Sequence, residues 1–401
     1  MKKINYYFNS YYENYEIRKQ FDNGRFLFIF PILFIISLTL TLSLFFLIIK
    51  LYVNLKLKSI KKKSNTASFI FSENQKSIHS IISQNGVSSD VFFISTDIVE
   101  PKIINARFIT NKFIILNSIS NSPLVLLTLL KSIGNIVLRN NLIRVYKLIG
   151  LKNIFNSIIE NYNNVIQYND HSPYNILLSD TCFNKNVKSF YFQHAPINEK
   201  FPSLHHDVNI LFSQHSIDMY RNPSNKKIIP FFDIRFVLGQ EYKVNGASFK
   251  NTILVCTNKL DDKTKIEGLL NELVKSFKVI LRPHPSDDRK IKVPESVKTS
   301  PGSSIWEDLK KSDFMITNES AVVLEALYLD VKVYKYTNLS SNLDNYGFYK
   351  NGLITKEYST IKDLIDGIFK KEISTNIDVL KYYIGEIDNI KGKMNLIKNE
   401  L

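Results

Sequence analysis

Short apolar runs alternate with helical stretches from residue 66 onward, and this alternation constrains the fold more than any other feature of the chain. Runs rich in Val, Ile and Phe predict buried strands, and segments such as 74–83 and 152–162 predict helices between them. The predicted strands of the first half are 69–71, 91–94, 165–168, 189–192 and 208–212. Strand–helix alternation is typical of a parallel sheet with helices on both faces.

A second unit of the same kind begins near residue 251. Its first helix, 263–276, has Ile266, Leu269 and Leu273 at helical spacing. Its predicted strands are 252–256, 277–281, 313–317 and 331–334, and its other helices are 321–328 and a C-terminal group within 360–396. We therefore predict an α/β fold of two Rossmann-like doubly wound domains, 66–235 and 251–401, joined by a linker at 236–250.

Residues 26–49 form an uncharged, apolar stretch between Arg25 and Lys50. As a helix it would be about 36 Å long, enough for a bilayer core of about 30 Å, so we predict a transmembrane helix at 26–50. No small-residue cleavage site follows, which argues against a cleavable signal peptide. The linker 51–65 is basic and lacks acidic residues, whereas the N-terminal segment 1–25 mixes both signs. The positive-inside rule then predicts a single-pass protein of the inner membrane with a cytoplasmic catalytic part.

The formal net charge of +15 is concentrated beside this predicted span. Such a distribution indicates contact with a membrane surface, and no nucleic-acid-binding motif occurs. The two cysteines, Cys182 and Cys256, form no CxxC motif, so we predict that both are buried apolar side chains. A shorter apolar stretch at 123–130 predicts a core helix, with a helix lying on the membrane surface as the alternative.

Side chains that directly follow strands are the candidate site residues, because doubly wound domains bind ligands at the carboxyl ends of their strands. Gln193 and His194 follow the strand 189–192. The imidazole of His194 can serve as a general base towards an acceptor hydroxyl, or it can fix the turn through hydrogen bonds. Asp170 and His171, after the strand 165–168, are further candidate bases, and the residues 172–173 predict a helix start.

Two groups follow strands of the second domain. Arg282, His284 and Pro285 belong to a Pro-flanked turn after 277–281, where a rigidly held imidazole and a guanidinium can bind a nucleotide phosphate. The second group lies where the strand 313–317 turns into a helix, and there we expect a cap and free N–H groups that bind phosphate. Its candidate binding residues are Thr317, Asn318, Glu319, Ser320 and Glu325. Glu325 either accepts hydrogen bonds from ribose hydroxyls or faces solvent.

Several motifs are absent from the sequence. There is no GxGxxG after a strand, no GxxxxGK[ST] and no GxSxG, which excludes common dinucleotide oxidoreductases, P-loop ATPases and α/β-hydrolases. A DxD metal motif is not evident either. The adjacent histidines His205 and His206 point to different faces and lack further ligands at suitable spacing. We therefore predict neither a metal site nor a cofactor.

The segments FYFQHAP, ILRPHPSD and SDFMITNESAVVLEALYLDVKVYKY, in this order, resemble glycosyltransferases of the GT-B fold. More narrowly, they are similar to bacterial capsule and wall-polymer enzymes with QH(G/A) and HP motifs, which include polysialyltransferases, Kdo transferases and teichoic acid glycerophosphotransferases. The resemblance covers residues 165–336. The chain departs from it at Ala195, where many relatives have glycine. It also lacks a clear match to the acidic motif of the sialyltransferases, for which Asp170 and Asp180 are the nearest candidates.

The resemblance implies roles for individual residues. His284 and Pro285 match the pair that contacts the donor's nucleotide phosphate, Ser320 matches the serine of the phosphate turn, and His194 matches the acceptor-side histidine. Several of these families use cytidine-activated donors, which makes a CMP- or CDP-linked donor the first expectation.

Together these features predict a membrane-anchored glycosyltransferase that transfers a nucleotide-activated sugar to a surface polysaccharide or lipid-linked acceptor. Transfer would be inverting and metal-independent, with His194 or Asp170 as base and His284 at the leaving group. Two alternatives are a non-catalytic scaffold of a polysaccharide assembly complex and a sugar-nucleotide epimerase. The sequence leaves the oligomeric state, donor sugar and linkage open.

Overall fold

The computed structural model describes residues 51–53, 55, 57, 62–94, 106–119, 142–221, 225–243, 251–285, 287–301, 304–340, 344–372 and 375–401. The predicted transmembrane helix at 26–50, the segment 1–25 and the apolar stretch 123–130 lie outside these residues. Within the described part of the chain, no helix combines the length and the apolar character that crossing a membrane requires.

Seven strands occur among the described residues of the N-terminal domain. They are β1 (Thr66–Ile70), β2 (Asp90–Ile94), β3 (Ala106–Ile109), β4 (Asn164–Gln167), β5 (Lys188–Phe192), β6 (Val208–Leu211) and β7 (Lys227–Pro230). All pair in parallel, in the order β3-β2-β1-β4-β5-β6-β7. The five predicted strands are confirmed. The two edge strands, β3 and β7, were not predicted. In β7 a Lys at the start and a Pro at the end weaken the apolar pattern that is typical of a strand.

In the described part of the chain, five helices accompany this sheet and a sixth follows β7. They are α1 (Glu73–Gln84), α2 (Asn111–Ile119), α3 (Leu142–Ile159), α4 (Pro173–Asn184), α5 (Gln214–Met219) and α6 (Phe236–Lys243). Serine side chains begin three of them: Ser72, Ser172 and Ser213 each accept a hydrogen bond from a backbone N–H of the first turn. The predicted start of α4, with Ser172 as cap and proline in the first turn, is confirmed.

The C-terminal domain contains six strands, also parallel. They are β8 (Thr252–Cys256), β9 (Lys278–Arg282), β10 (Lys298–Thr299), β11 (Phe314–Thr317), β12 (Lys332–Tyr336) and β13 (Glu357–Tyr358). Their order is β10-β9-β8-β11-β12-β13. The four predicted strands are confirmed, whereas the two-residue edge strands β10 and β13 are too short to produce a sequence pattern.

The helices of this half are α7 (Lys263–Leu273), α8 (Ile305–Lys310), α9 (Val322–Tyr328), α10 (Ile361–Phe369), α11 (Leu380–Ile384) and α12 (Ile390–Lys398). The apolar stripe predicted on α7 is buried: Ile266, Leu269 and Leu273 are inaccessible to solvent and pack against β8 and β9. Full burial of such side chains stabilises the fold by roughly 1.5–3 kcal/mol each.

Two segments pack differently from the predicted domain boundaries. The first half of the predicted linker is the helix α6, whose Gly239 lies so close to Trp306 of α8 that only a residue without Cβ fits there. The last helix, assigned by sequence to the C-terminal domain, packs against the N-terminal sheet through Met394 and Ile397. The chain end joins it there, because Glu400 forms an ion pair with Lys188 at the start of β5.

The strand orders locate the ligand site. In each sheet the order runs outward in one direction from the first strand and then reverses, between β1 and β4 in the N-terminal domain and between β8 and β11 in the C-terminal domain. Doubly wound folds bind ligands in the crevice that this reversal opens at the carboxyl ends of the strands. The crevice of the C-terminal domain is flanked by the residues that follow β8 and β11.

Candidate functional site

The crevice between β8 and β11 contains buried polar atoms that find no hydrogen-bond partner among the described residues. They are the hydroxyl of Thr257, which follows β8, the hydroxyl of Thr317, which ends β11, and the side-chain oxygen of Asn318. All three side chains are at least 95% buried. Because a buried polar group without a partner costs about 1–3 kcal/mol, their concentration at this one edge indicates a place where a polar ligand binds.

Hydrogen bonds hold the two sides of this crevice together. The Asn258 amide donates to the carbonyl oxygen of Glu319 at 3.2 Å, and the Asn318 amide donates to the Ser340 hydroxyl at 2.6 Å. Arg289 fixes the loop after β8 from behind, since its guanidinium donates to the carbonyl oxygen of Asn258 at 3.0 Å. The crevice is therefore built before any ligand arrives.

Ser320 lies at the start of α9, but not as the predicted cap. The helix begins at Val322 with Ala321 in the capping position, and the Ser320 hydroxyl accepts a hydrogen bond from the Val322 N–H at 3.3 Å. One of the N–H groups expected to be free for phosphate is therefore already used. The side chain of Ser320 is partly exposed, so its hydroxyl can still donate a hydrogen bond to an anion at this turn.

The turn after β9 separates the two residues predicted to act together. His284 is exposed beside the crevice, and the Asp287 N–H donates to its carbonyl oxygen at 2.8 Å, which closes the turn next to the exposed Pro285. Partial burial lowers the pKa of His284, while Asp287 opposes the shift. Arg282 forms an ion pair with the buried Asp308. Nη1 of its guanidinium is thus held by a contact inside the protein, and the phosphate contact predicted for Arg282 stays a prediction.

Glu319 is buried beneath the crevice, with 4% of its surface exposed. Its Oε1 accepts a hydrogen bond from the Tyr346 N–H at 3.1 Å, so this carboxyl group connects the phosphate turn to the loop 344–351. Burial raises the pKa of Glu319 to about 7, although the Tyr346 N–H and the charge of Lys335 oppose the rise. The group changes its protonation state within the physiological range.

Glu325, on the first turn of α9, is also buried and does not face solvent. Its Oε1 lies 3.0 Å from Nη1 of Arg235, and its Oε2 has no partner among the described residues. The pKa of Glu325 is raised by burial, against the lowering effect of Arg235. Of the two alternatives left by the sequence, the solvent-facing one is wrong.

In the N-terminal domain, Gln193 shapes the turn that carries His194. The Gln193 amide donates to the carbonyl oxygen of Ala195 at 2.8 Å, and its oxygen accepts from the Phe212 N–H at 2.8 Å. Both ends of this buried side chain form hydrogen bonds inside the protein, and the predicted contact of Gln193 with substrate stays a prediction. The two hydrogen bonds fix the backbone on either side of His194.

His194 projects from this turn as a neutral imidazole. Its Nδ1 is buried and has no partner among the described residues. Burial lowers the pKa of His194 to about 4, assisted by His171 and Arg235 and opposed by Asp170. A neutral ring can accept a proton at ordinary pH, as a general base must.

Asp170 and His171 form a hydrogen-bonded pair beside His194. His171 Nδ1 lies 2.9 Å from Oδ1 of Asp170, and the ring centroids of His171 and His194 are 6.3 Å apart. Tyr220 donates to the second oxygen of Asp170. Burial alone would raise the pKa of Asp170, but its hydrogen bonds and the neighbouring histidines hold it below the usual value. Asp170 is 1% exposed and orients His171 through this hydrogen bond, and its role as a base stays a prediction.

A cavity of about 220 Å³ is lined by residues of both domains. One wall comes from the loop after the His194 turn and from α5, and the opposite wall from residues 344–351. Asn198, Lys200 and His215 face Asp344, Tyr346 and Lys350 across it. Planar amides, charges of both signs and one aromatic ring provide a polar surface of the kind that binds hydroxyl-rich molecules.

No group of three or more His, Cys, Asp or Glu side chains that could hold a metal ion occurs in the described ranges. Both cysteines are free and buried, as predicted, and burial raises the pKa of the Cys256 thiol to about 12. Thr257 and Asn258 were not predicted, although they directly follow the predicted strand 252–256. Nor was Arg235, whose importance depends on a contact with the other domain.

Solved structures with similar folds include two kinds of enzyme. A wall teichoic acid polymerase TagF structure, of a histidine-to-asparagine variant soaked with CDPG, has a TM-score of 0.54 at 15% identity and covers 93% of this chain and 98% of that chain. A putative UDP-N-acetylglucosamine 2-epimerase from Listeria monocytogenes has a TM-score of 0.52 at 10% identity, over 83% of this chain and 94% of that chain.

The UDP-GlcNAc 2-epimerase from Neisseria meningitidis bound to UDP-GlcNAc has a TM-score of 0.50 at 10% identity, over 84% of this chain and 99% of that chain. No protein-family model and no curated protein sequence matches the chain. At such identities the likeness shows the fold alone. It agrees with the two parallel sheets, so the GT-B architecture expected from the sequence is confirmed.

Proposed function

We propose that the protein is a glycosyltransferase that moves a nucleotide-activated sugar, or a sugar-like unit, onto a glycan or lipid-linked acceptor. The observation that carries this proposal is the arrangement of the cleft. One side presents buried, unsatisfied polar groups at the strand reversal of the C-terminal domain, and the other presents the neutral imidazole of His194. In this proposal the first set of groups forms the donor site and His194 is the general base.

The donor side would bind the nucleotide through three kinds of contact. The hydroxyls of Thr257, Thr317 and Ser320 donate hydrogen bonds to phosphate oxygens, the exposed imidazole of His284 stabilises the charge that develops on the leaving phosphate, and Oε2 of Glu325 accepts from the ribose. A cytidine nucleotide is the first expectation, in agreement with the CDPG in the TagF soak.

On the acceptor side, His194 takes the proton of the attacking hydroxyl. The hydroxyl oxygen forms the new bond to the transferred unit, the bond to the nucleotide phosphate breaks on the opposite face, and the nucleotide leaves with the bonding pair. Such a single displacement inverts configuration at the reacting carbon. His171, oriented by Asp170, stacks beside His194 and can relay or stabilise the proton.

The membrane location is part of the same proposal. The uncharged stretch 26–49 and the lysines that follow it would hold the enzyme at the inner face of the cytoplasmic membrane, close to a lipid-linked acceptor. Protease accessibility of residues 66–401 in right-side-out and inverted membrane vesicles checks this orientation. Digestion in right-side-out vesicles would contradict it.

Epimerisation of a sugar nucleotide is a second candidate, because UDP-GlcNAc 2-epimerases share the fold over most of this chain. An epimerase converts its substrate without an acceptor. Incubation of the protein with UDP-GlcNAc alone, followed by chromatography of the sugar released by acid, separates the two functions. A new sugar in the absence of acceptor would favour the epimerase.

The first experiment on the transferase is a thermal-shift screen of the full chain in detergent against CMP, CDP, UDP, GDP and their sugar conjugates. A ligand at 100 times its dissociation constant adds about 2.7 kcal/mol of stability. The shift should be lost in His284→Ala and retained in Lys292→Ala, an exposed side chain on the same segment. A folded protein that binds none of these nucleotides would refute the transferase and favour the scaffold.

A further inference from the structure

We propose that Arg235 is a positioning residue for the donor: it holds the Glu325 carboxylate so that the free oxygen faces the ribose, and it thereby couples ribose recognition to the contact between the two domains. The inference rests on the proposed function, because it needs a nucleotide in the crevice of the C-terminal domain.

Arg235 is itself held rigidly. Its Nε donates to both carboxylate oxygens of Asp233, at 2.9 and 3.1 Å, and Nη2 forms a further contact with the same carboxylate. Asp233 is fully buried, and its own backbone N–H donates to the carbonyl oxygen of Ile384 at 2.7 Å. The planar guanidinium therefore has one orientation, and that orientation aims Nη1 at Glu325, 3.0 Å away.

Glu325 uses only half of its carboxylate for this ion pair. Oε2 is buried without a partner among the described residues, and the residue as a whole is 4% exposed. A carboxylate with one oxygen fixed by arginine and the other unsatisfied is prepared to accept one hydrogen bond. Glu325 lies in the first turn of α9, after the strand β11. A carboxylate accepts hydrogen bonds from hydroxyls and repels phosphate, so the proposed partner of Oε2 is a ribose hydroxyl.

The pair joins the two halves of the molecule. Asp233 and Arg235 end the N-terminal domain, whereas Glu325 belongs to the donor-binding domain. The guanidinium carbon lies 5.9 Å from the centre of the Phe212 ring, and the Phe212 N–H is fixed by the same glutamine that shapes the turn of His194. The proposed ribose contact therefore depends on the packing of the N-terminal domain segment that also carries His194.

The chemistry of arginine is essential to this role. A lysine keeps the positive charge but has no planar fork, so it cannot hold Asp233 through two oxygens and Glu325 in a fixed direction at the same time. Arg235→Lys avoids leaving two buried carboxylates without a cation, a change that strongly destabilises folds. It is therefore the variant that separates orientation from charge.

The test is a comparison of ribonucleotides with their 2′,3′-dideoxy forms. Calorimetric dissociation constants of CDP, UDP and their dideoxy analogues are measured on the full chain and on Arg235→Lys, Glu325→Gln and Arg107→Lys. Arg107 pairs with the buried Asp90 at the opposite edge of the N-terminal sheet and serves as the matched control. Wild type and Arg107→Lys should prefer the ribose form roughly 10- to 100-fold, as expected for a hydrogen bond to a charged group.

Arg235→Lys and Glu325→Gln should bind the dideoxy form almost as well as wild type and lose most of the ribose preference. A purely structural role would weaken both forms equally. If Arg235→Lys keeps the full ribose preference, or weakens both forms alike, the inference is overturned while the transferase stands. If the wild type binds neither CDP nor UDP, both the inference and the proposed function fail.

Discussion

The protonation of Glu319 makes a quantitative prediction about stability. In the unfolded chain a glutamate titrates near 4.5, whereas burial raises the pKa of Glu319 in the folded protein to about 7. The folded state therefore favours the protonated carboxyl. The stabilisation that this provides is complete below pH 4.5 and is lost as the pH rises from 4.5 to 7, because the unfolded chain releases its proton first.

The magnitude follows from the two pKa values. At about 1.4 kcal/mol per pH unit, the glutamate lowers the free energy of unfolding at pH 8.5 by about 3 kcal/mol relative to a neutral isostere. At pH 5.5, where the carboxyl group is ionised mainly in the unfolded chain, the difference is about 1 kcal/mol. Glu319→Gln removes the ionisation and keeps an oxygen for the Tyr346 N–H. It should therefore stabilise the protein by about 2 kcal/mol more at pH 8.5 than at pH 5.5.

Urea denaturation of the full chain, followed by circular dichroism at both pH values, measures this difference. Glu241→Gln, an exposed glutamate of α6, is the matched control and should change stability equally at the two pH values. A Glu319→Gln effect that is independent of pH would refute the reasoning, because it would mean that the carboxyl group titrates in the folded protein as it does in water.

Three further outcomes test other parts of the structure. His194→Gln should abolish turnover and change nucleotide binding, measured by calorimetry, less than twofold; turnover of the variant near the wild-type rate would exclude His194 as the base. Because burial lowers the pKa of His194 to about 4, protonation of this imidazole should not reduce wild-type turnover until the pH falls towards 4. Gly385→Ala should lower the free energy of unfolding in urea by roughly 1–3 kcal/mol, because Gly385 has a φ of +72° and a Cβ would lie 2.3 Å from the Phe212 carbonyl oxygen. An unchanged urea midpoint would contradict this prediction. Ile397→Ala should cost roughly 2–5 kcal/mol because the side chain is fully buried against the N-terminal sheet, whereas a neutral effect would mean that the last helix is dispensable.

Much of the fold could be predicted from the apolar pattern within single strands and helices. The central strands of both sheets are nearly continuous apolar runs, because they are covered on both faces, and such runs are visible without any tertiary information. Edge strands such as β10 and β13 are short and half-exposed, so their composition does not differ from that of loops. The segment 236–250 was predicted to be a linker partly because it contains glycines. Gly239, however, lies in the helix α6, where the close approach of Trp306 leaves no room for a Cβ.

Candidate site residues were found by one rule, that chemistry lies after strands. The rule selected His194, Thr317 and Asn318, each of which has a buried polar atom without a partner among the described residues. It could not say which of the selected side chains form hydrogen bonds or ion pairs inside the protein. Gln193 and Arg282 follow strands as well, and their polar atoms are satisfied by Ala195, Phe212 and Asp308.

The sequence by itself determined the alternation of strands and helices, the parallel character of both sheets and the short list of polar residues at their carboxyl ends, because each depends on the periodicity and composition of neighbouring residues. The tertiary structure alone decided which of those residues are available to a ligand, since availability depends on partners distant in the chain. Arg235 and Glu325, ninety residues apart, become one unit only after both domains have folded and packed together.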